Sequence, residues 1–317
     1  MVTGVGSTTA ISIIKGIRKQ NDYIAHVTGV DINKKNEIAG STFCDSYYKI
    51  PEAGDKQYIN TLLDIVKKEE IEILFPVIDI ELNIISKFIK FFNELGVFVW
   101  ISEPKTINIC NDKYHTYNFF KDNKIKTPKT LLPNDVDKNM KRLIFPLIIK
   151  PRDGVSSRDV YKVNDLVELQ RYIKIVNNSI IQEYIEGTEY TIDVLSDYNS
   201  NALSAVPRER IETRGGISYK GKIVVNNKLV DSGRNIAQLL KIRGACNIQC
   251  IINKKGDIYF IEVNPRFSGS LPLTIAAGVN GPLILMKIAL KDSIEKNHLE
   301  YTPNISMARY WEEIFHS

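Results

Sequence analysis

Short apolar runs alternate with amphipathic stretches through the first hundred residues. MVTG is followed by Thr8 to Lys19, YIAHVTGVD by Tyr58 to Lys68, and IEILFPV by Leu82 to Leu95, before VFVW closes the series at Trp100. Apolar runs too short for helices, separated by stretches of helical period, are what a parallel sheet with crossover helices requires. Past Ser102-Glu103-Pro104 comes a helical segment containing Asp112-Lys113-Tyr114, then the strand-like TPKTLL and FPLIIKP. From Ser179 the pattern is strand-rich: SIIQEYIEG, TEYTIDVLSD, ALSAVPRERIE, SYKGKIVV, ACNIQCIIN and DIYFIEVN, interrupted by one predicted helix near Val230 to Lys241. The class is therefore α/β followed by α+β, with no internal repeat and no low-complexity linker.

Composition narrows the partners. A chain of 317 residues, 44% hydrophobic and 25% charged, can bury one or two proper cores. Its 42 basic and 37 acidic residues are interspersed without a block of five like charges, which argues against nucleic-acid and membrane surfaces and leaves small anionic ligands. No apolar run reaches membrane length and the N-terminus lacks the basic-then-apolar pattern of a leader, so a cytoplasmic location is expected. Cys44, Cys110, Cys246 and Cys250 have neither metal nor disulfide spacing, and Cys246 and Cys250 fall on one strand face as core thiols. His26, His115, His298 and His316 have no metal-like or triad-like company.

The first strand ends in Gly4-Val5-Gly6-Ser7-Thr8-Thr9, a strand-to-helix turn whose N–H groups could receive an anion. A dinucleotide fingerprint needs a third glycine near Thr9, and Asp31 alone does not complete the match. A tight turn in a Rossmann-like half-domain is the simpler reading. The strand spans only Met1 to Thr3, which suggests that strand residues precede Met1.

The chemistry concentrates in the hairpin NIQCIINKKGDIYFIEVN. A two-residue loop at Lys255-Gly256 would pair Lys254 with Asp257, Gln249 with Glu262 and Asn247 with Asn264. One face would then read Ile248, Cys250, Ile252, Tyr259, Ile261, Val263, and the other Asn247, Gln249, Ile251, Phe260, Glu262, Asn264. A carboxylate flanked by amide oxygens suits Mg²⁺, a hard cation that keeps water and phosphate as its other ligands. Pro265 has no N–H for the ladder, and Arg266 follows where a phosphate or carboxylate could sit. The competing reading is a solvated strand end with a local Glu262–Arg266 ion pair.

Two further motifs accompany it. In PLIIKPRDGVSSRDVYKV an apolar strand ends in Lys150, and the loop behind it carries Gly154, Ser156 and Ser157, a reasonable polyphosphate clamp. A lysine snorkelling to solvent is the alternative, and no Walker-type glycine loop occurs. In SIIQEYIEGTEY, the backbone edge at Glu183 to Ile185 can hydrogen-bond a purine and Glu189 can take ribose hydroxyls. The segment VPRERIETRGGISYKGK adds Arg208, Arg210 and Arg214; Arg208 and Arg210 project to one side of a strand, as an anionic acceptor would need, and Arg210 is the first choice among them.

Taken in this order, the motifs resemble the ATP-grasp superfamily, and specifically one synthetase half of the carbamoyl phosphate synthase large subunit. The resemblance covers the whole chain, and E-V-N-P-R-F-S-G is its most specific element. It implies a Rossmann-like pre-ATP-grasp domain over 1–110, a nucleotide-binding lid over 111–187 and a metal-binding, catalytic portion over 188–317. It further implies that Lys113 and Lys150, with the Ser156-Ser157 loop, hold ATP phosphates, Glu183 and Ile185 meet adenine, and Glu189 binds ribose. Gln249, Glu262 and Asn264 would hold Mg²⁺, two ions for which Mn²⁺ could substitute, and Arg266 would face the transferred phosphoryl group.

Two departures stand out: Asp159 occupies a position where the phosphate loop usually has glycine, and the chain holds one module where complete carbamoyl phosphate synthesis uses two phosphorylation sites. The expected activity is ATP-dependent ligation of a small carboxylate to an amine through an acyl phosphate, with release of ADP and phosphate, by a monomer or a homodimer. Lys150, Arg210 and Arg266 would carry the catalysis. Ligation with bicarbonate or carbamate, a noncatalytic nucleotide-binding module and an NAD-dependent oxidoreductase are the alternatives.

Overall fold

A computed structural model describes residues 1–140, 143–154 and 158–316. The expected phosphate contacts of Ser156 and Ser157 lie outside the described residues.

The first region alternates strand and helix: β1 (Val2–Thr3), α1 (Thr8–Arg18), β2 (Thr28–Asp31), β3 (Ser46–Lys49), α2 (Tyr58–Lys68), β4 (Ile73–Leu74), α3 (Asp79–Lys87), α4 (Ile89–Glu94) and β5 (Phe98–Val99). All pairings are parallel, and a bridge between Val2 and Phe75 joins β1 to the β4 side, so the strands run β3-β2-β1-β4-β5. That is the doubly wound order expected of a Rossmann-like half. The amphipathic stretch Leu82 to Leu95 is two helices, not one, because the backbone departs from helical geometry at Phe88.

The second region opens with α5 (Pro104–Asn111) and α6 (Lys113–Asp122), followed by β6 (Thr130–Leu131), α7 (Val136–Asn139), β7 (Leu147–Pro151), β8 (Tyr161–Val163), α8 (Leu166–Ile175) and β9 (Ser179–Glu183). Its sheet is antiparallel, ordered β6-β9-β7-β8, and buries Leu147, Ile149, Val163 and Ile181 against Leu169 of α8. Helix α8 has an apolar stripe on one side and a side-chain cap at Asp165, whose carboxylate accepts from Glu168 N at 2.8 Å.

The third region contains β10 (Gly187–Ser196), β11 (Ala202–Arg214), β12 (Ile217–Ile223), α9 (Asn227–Leu239), β13 (Gly244–Asn253), β14 (Ile258–Asn264), α10 (Leu271–Ala276), α11 (Gly281–Ala289) and β15 (Ser306–Ala308). The six strands form one antiparallel sheet ordered β14-β13-β10-β11-β12-β15. The single helix expected after Ser179 is joined by α10 and α11. Both are short and almost wholly apolar because they sit between α1 and the sheet, sharing a core with Ile13, Ile14, Leu195 and Phe267. A helix composed almost wholly of apolar residues shows no polar face for periodicity to reveal.

The hairpin departs from expectation in a way that cancels. Its loop contains three residues, with Gly256 in the left-handed region (φ 82°), Gly256 N donating to Asn253 O and Asn253 N to Asp257 O. Lys254 therefore does not pair with Asp257. A bulge between Gln249 and Cys250 then leaves Ile261 unmatched, and the two irregularities offset each other at the strand end. Gln249 still faces Glu262 and Asn247 still faces Asn264. Below the bulge the faces are exchanged: Phe260 opposes Cys250 and is buried with Ile248 and Val263, while Tyr259 and Ile261 are half-buried.

Candidate active site

Strand register assembles the site. On one face of the large sheet Ile192, Val194, Ile248, Cys246, Cys250 and Val263 enter the core beneath α9. On the other face, β10 presents Glu189, Thr191 and Asp193 by strand alternation. Gln249 lies opposite both Glu262 and Thr191, and Thr191 lies opposite Arg208, so one row across four strands reads Glu262, Gln249, Thr191, Arg208. The adjacent row reads Asn264, Asn247, Asp193. Asn264 donates through Nδ2 to Glu262 Oε1 at 3.2 Å and to Asn247 Oδ1 at 3.1 Å, which leaves its own Oδ1 for a cation.

The second region supplies the opposing charge. Lys150, at the end of β7, is 7% exposed and donates to Gln182 Oε1 at 2.9 Å, and Gln182 in turn donates to Thr130 Oγ1 at 2.9 Å. It does not snorkel to solvent. Lys113 begins α6, whose cap is Asp112; that carboxylate accepts from Tyr114 N and His115 N and is gripped by Arg152 Nε at 3.2 Å and Nη2 at 2.5 Å. Lys113 Nζ meanwhile donates to Gly154 O at 2.6 Å, which ties the start of the glycine-hydroxyl loop to α6.

These groups feel one another. Burial works against ionisation of Glu262, and Lys113, Lys150, the Asn264 amide and Arg210 overcome it, holding the carboxyl below its ordinary range. For Lys150 burial dominates: it is pulled down to about 8, with Lys113 adding repulsion and Glu262 and Glu189 opposing the fall. Two lysines from one region and a carboxylate from another thus share a field with no ion pair closing between them. Among the described residues no three His, Cys, Asp or Glu side chains cluster as a metal site. One carboxylate and two amides, from Glu262, Gln249 and Asn264, would fill only part of an octahedral Mg²⁺ shell and leave positions for phosphate and water.

The remaining expected residues divide. Arg208 and Arg210 do share a side, but Arg208 is fully buried and neutralised by Asp193 at 3.0 Å, a partner the sequence reading missed. Arg210 donates to Gly216 O at 2.9 Å, and its Nε lies 3.2 Å from Glu189 Oε2 but off the hydrogen-bonding angle. Burial draws Arg210 downward, with Glu189 opposing; a guanidinium remains charged throughout. Arg214 is an exposed partner of Glu212 and stacks on Tyr219. Glu189 is thus engaged by Arg210, and Glu183 accepts from Lys129 N at 3.2 Å. Ile185 lies half-buried in the connection from β9 to β10, beside Tyr184, over whose ring Lys162 sits.

Arg266 does not pair with Glu262; it forks onto Asp79 of α3, from the first region. Asp159, the departure from the glycine pattern, has φ 54°. That left-handed conformation explains why glycine is usual there, and Asp is among the few side chains that tolerate it.

Comparisons with known proteins bear on the family and the fold. The ATP-grasp domain model matches residues 110–270, and the model of the PylC-like N-terminal domain matches residues 1–100. The chain is 25% identical to the carbamoyl phosphate synthase large chain of a Thermoanaerobacter species, over 86% of this chain and 26% of that one. It is 26% identical to a D-alanine–D-alanine ligase of Petrotoga mobilis, over 76% of this chain and 87% of that one. Its fold is similar to that of a biotin carboxylase from Campylobacter jejuni, with a TM-score of 0.77, 14% identity, and coverage of 95% of this chain and 73% of that one. The chain spans about a quarter of the length of the carbamoyl phosphate synthase large chains it matches. With an ATP-grasp domain model matching more than half of its residues, the chain belongs to the ATP-grasp family.

Proposed function

We propose that the chain is an ATP-dependent carboxylate–amine ligase, joining a small carboxylate to an amine through an acyl phosphate and releasing ADP and phosphate. The observation that carries this reading is the strand register that sets Gln249 against Glu262, with Asn264 hydrogen-bonded to that carboxylate, in a field shared with Lys113 and the buried Lys150, neither of which closes an ion pair with it. ATP bound there would supply the phosphoryl group, and Mg²⁺, one ion or two, would neutralise its oxygens. Lys113 and Lys150 contribute positive charge toward the phosphates; Gln249, Glu262 and Asn264 hold the cation side; Glu183 and Ile185 border the base, and Glu189 the ribose. Arg210 offers a cation to an anionic acceptor, its position fixed by Gly216 and Glu189. Charge neutralisation and alignment carry this chemistry, so a side-chain nucleophile is not required.

The ligase relative supports an amine acceptor, and the synthase relative supports bicarbonate or carbamate as the second reading. A dinucleotide site at the glycine turn is disfavoured, since Gly6 N already donates to Asp31 Oδ2 at 2.7 Å. A cytoplasmic location fits four free cysteines and the finding that no described helix is long and apolar enough to cross a membrane. The test is Mg²⁺-dependent ADP release across panels of amino acids and small acids, with bicarbonate as a separate arm. Release with one carboxylate and one amine supports the reading; release with bicarbonate alone transfers it to the second; no nucleotide turnover or binding in any arm removes it.

A further inference from the structure

Arg266 is where the first region reaches the catalytic row. Its Nε donates to Asp79 Oδ1 at 2.8 Å, its Nη2 to Asp79 Oδ2 at 2.7 Å, and its Nη1 to Phe267 O at 3.0 Å. A guanidinium carries five N–H donors in a rigid plane. Three are taken, which leaves one on each Nη. Asp79 occupies the side edge of the fork, and with the Phe267 carbonyl it leaves one N–H on Nη1 and one on Nη2 for an oxyanion.

Asp79 is itself held from several directions. It is the first residue of α3, and its carbonyl accepts from Asn111 Nδ2 at 3.2 Å, two residues before Lys113. The turn ahead of it is gathered by the buried carboxylate of Glu81, which accepts from Val77 N and Ile78 N at 2.8 Å, from Tyr58 OH at 2.6 Å and from the Thr3 hydroxyl. The Asp79 and Arg266 side chains are 19% and 20% exposed, so the pair lines a wall and does not belong to a core. A free arginine would wander among rotamers, and a misplacement near 1 Å can cost on the order of 10²-fold in rate.

Resting on the reading of this site as a phosphoryl-transfer centre, we propose that Asp79 is a positioning residue: it fixes the Arg266 plane so that the N–H groups left on Nη1 and Nη2 are presented to the transferred phosphoryl group. The Rossmann-like region thereby takes part in catalysis without binding a dinucleotide. Because Asn111 holds the main-chain carbonyl of Asp79, the backbone that carries the Arg266 anchor is tied to the helix pair that carries Lys113.

The test needs no knowledge of the substrate. Calorimetry on the full chain compares Mg-ADP alone with Mg-ADP plus fluoroaluminate, a mimic of the phosphoryl group in flight. The parent should bind the mimic complex about tenfold or more tighter than Mg-ADP. Asp79→Ala and the isosteric Asp79→Asn should hold Mg-ADP as the parent does yet lose that tightening, and Asp79→Glu should regain part of it. In an Arg266→Ala background, Asp79→Ala should change nothing further. Asp79 variants that keep the parent's tightening, that weaken both complexes equally, or that unfold even as Asp79→Asn overturn the proposal. A parent that binds Mg-ADP without tightening overturns it alone, whereas a parent that binds no Mg-ADP removes the ligase reading as well.

Discussion

Two regions carry residues that could hold an anion, and they spend their polar groups differently. In the turn from Gly4 to Thr9 three N–H groups are held by the protein itself, Val5 N by Val30 O, Gly6 N by Asp31 and Ser7 N by Gly4 O, and in the first turn of α1 Ala10 N goes to Ser7 Oγ. A Cβ on Gly40 would stand 1.6 Å from Val5 O, so the turn around Gly40 lies directly against this backbone. On the large sheet, Glu262 keeps its ionised form beside Lys113 and Lys150, and none of the three forms an ion pair with another. A glycine turn whose amides are engaged by neighbouring backbone and Asp31 reads as architecture; charges that share a field without closing an ion pair mark a candidate ligand site.

The comparison breaks most sharply at Glu262. Glu262→Ala should lower Mg-ATP turnover by on the order of 10²–10³-fold, with an unchanged melting temperature, since this half-buried residue adds little to the core. Turnover at the parental level would cancel the cation assignment. Lys150→Met comes next, keeping the apolar stem while deleting the charge. It should weaken Mg-ATP binding about tenfold or more, read as a raised KM with the fold intact; parental kinetics would make Lys150 a packing residue only.

The pH dependence sharpens the same contrast. With Lys150 titrating near 8, Mg-ATP affinity should decline as pH rises through that value, because the clamp is charged only below it. Bound phosphate raises the transition, and Lys150→Arg should flatten it, as a guanidinium stays charged. Stability moves the other way. The folded protein sheds this proton near 8 and the unfolded chain near 10.5, so between those values the unfolded state binds more protons and the fold gains stability as pH rises. A titration that leaves both affinity and stability flat across this window would deny the burial of Lys150.

The smallest effect belongs to the glycine turn. Asp31→Asn weakens the carboxylate bond to Gly6 N and should cost about 1–2 kcal/mol in stability, while Mg-ADP affinity stays parental. A loss of nucleotide affinity there would mean that the turn is more than architecture.

Much of this was legible in the chain because it depends on short-range order. The Glu262, Gln249 and Asn264 cluster needs only one hairpin, and its strand-end register survived a wrong loop length because a bulge restored it. Lys150 was visible as the polar end of an apolar strand. Residues joined over long separations were not legible: Arg266 meets Asp79 across 187 positions, and nothing local in FPVIDIEL announces an arginine partner. Asp193 neutralises Arg208 only because β10 and β11 pair in one register, which the loop between them does not reveal from sequence. Helices α10 and α11 escaped because their almost wholly apolar composition leaves no polar face to mark a period.

The nucleotide product, measured with hydroxylamine in place of the amine, tests the phosphoryl-transfer reading most directly. Enzyme, Mg-ATP and hydroxylamine are incubated with each member of a carboxylate panel, and hydroxamate, ADP and AMP are assayed separately. An acyl phosphate is a strong acyl donor, so the active carboxylate should give hydroxamate and ADP together, both lost without Mg²⁺ and in Glu262→Ala. AMP and pyrophosphate formed with that carboxylate would contradict phosphoryl transfer at this site.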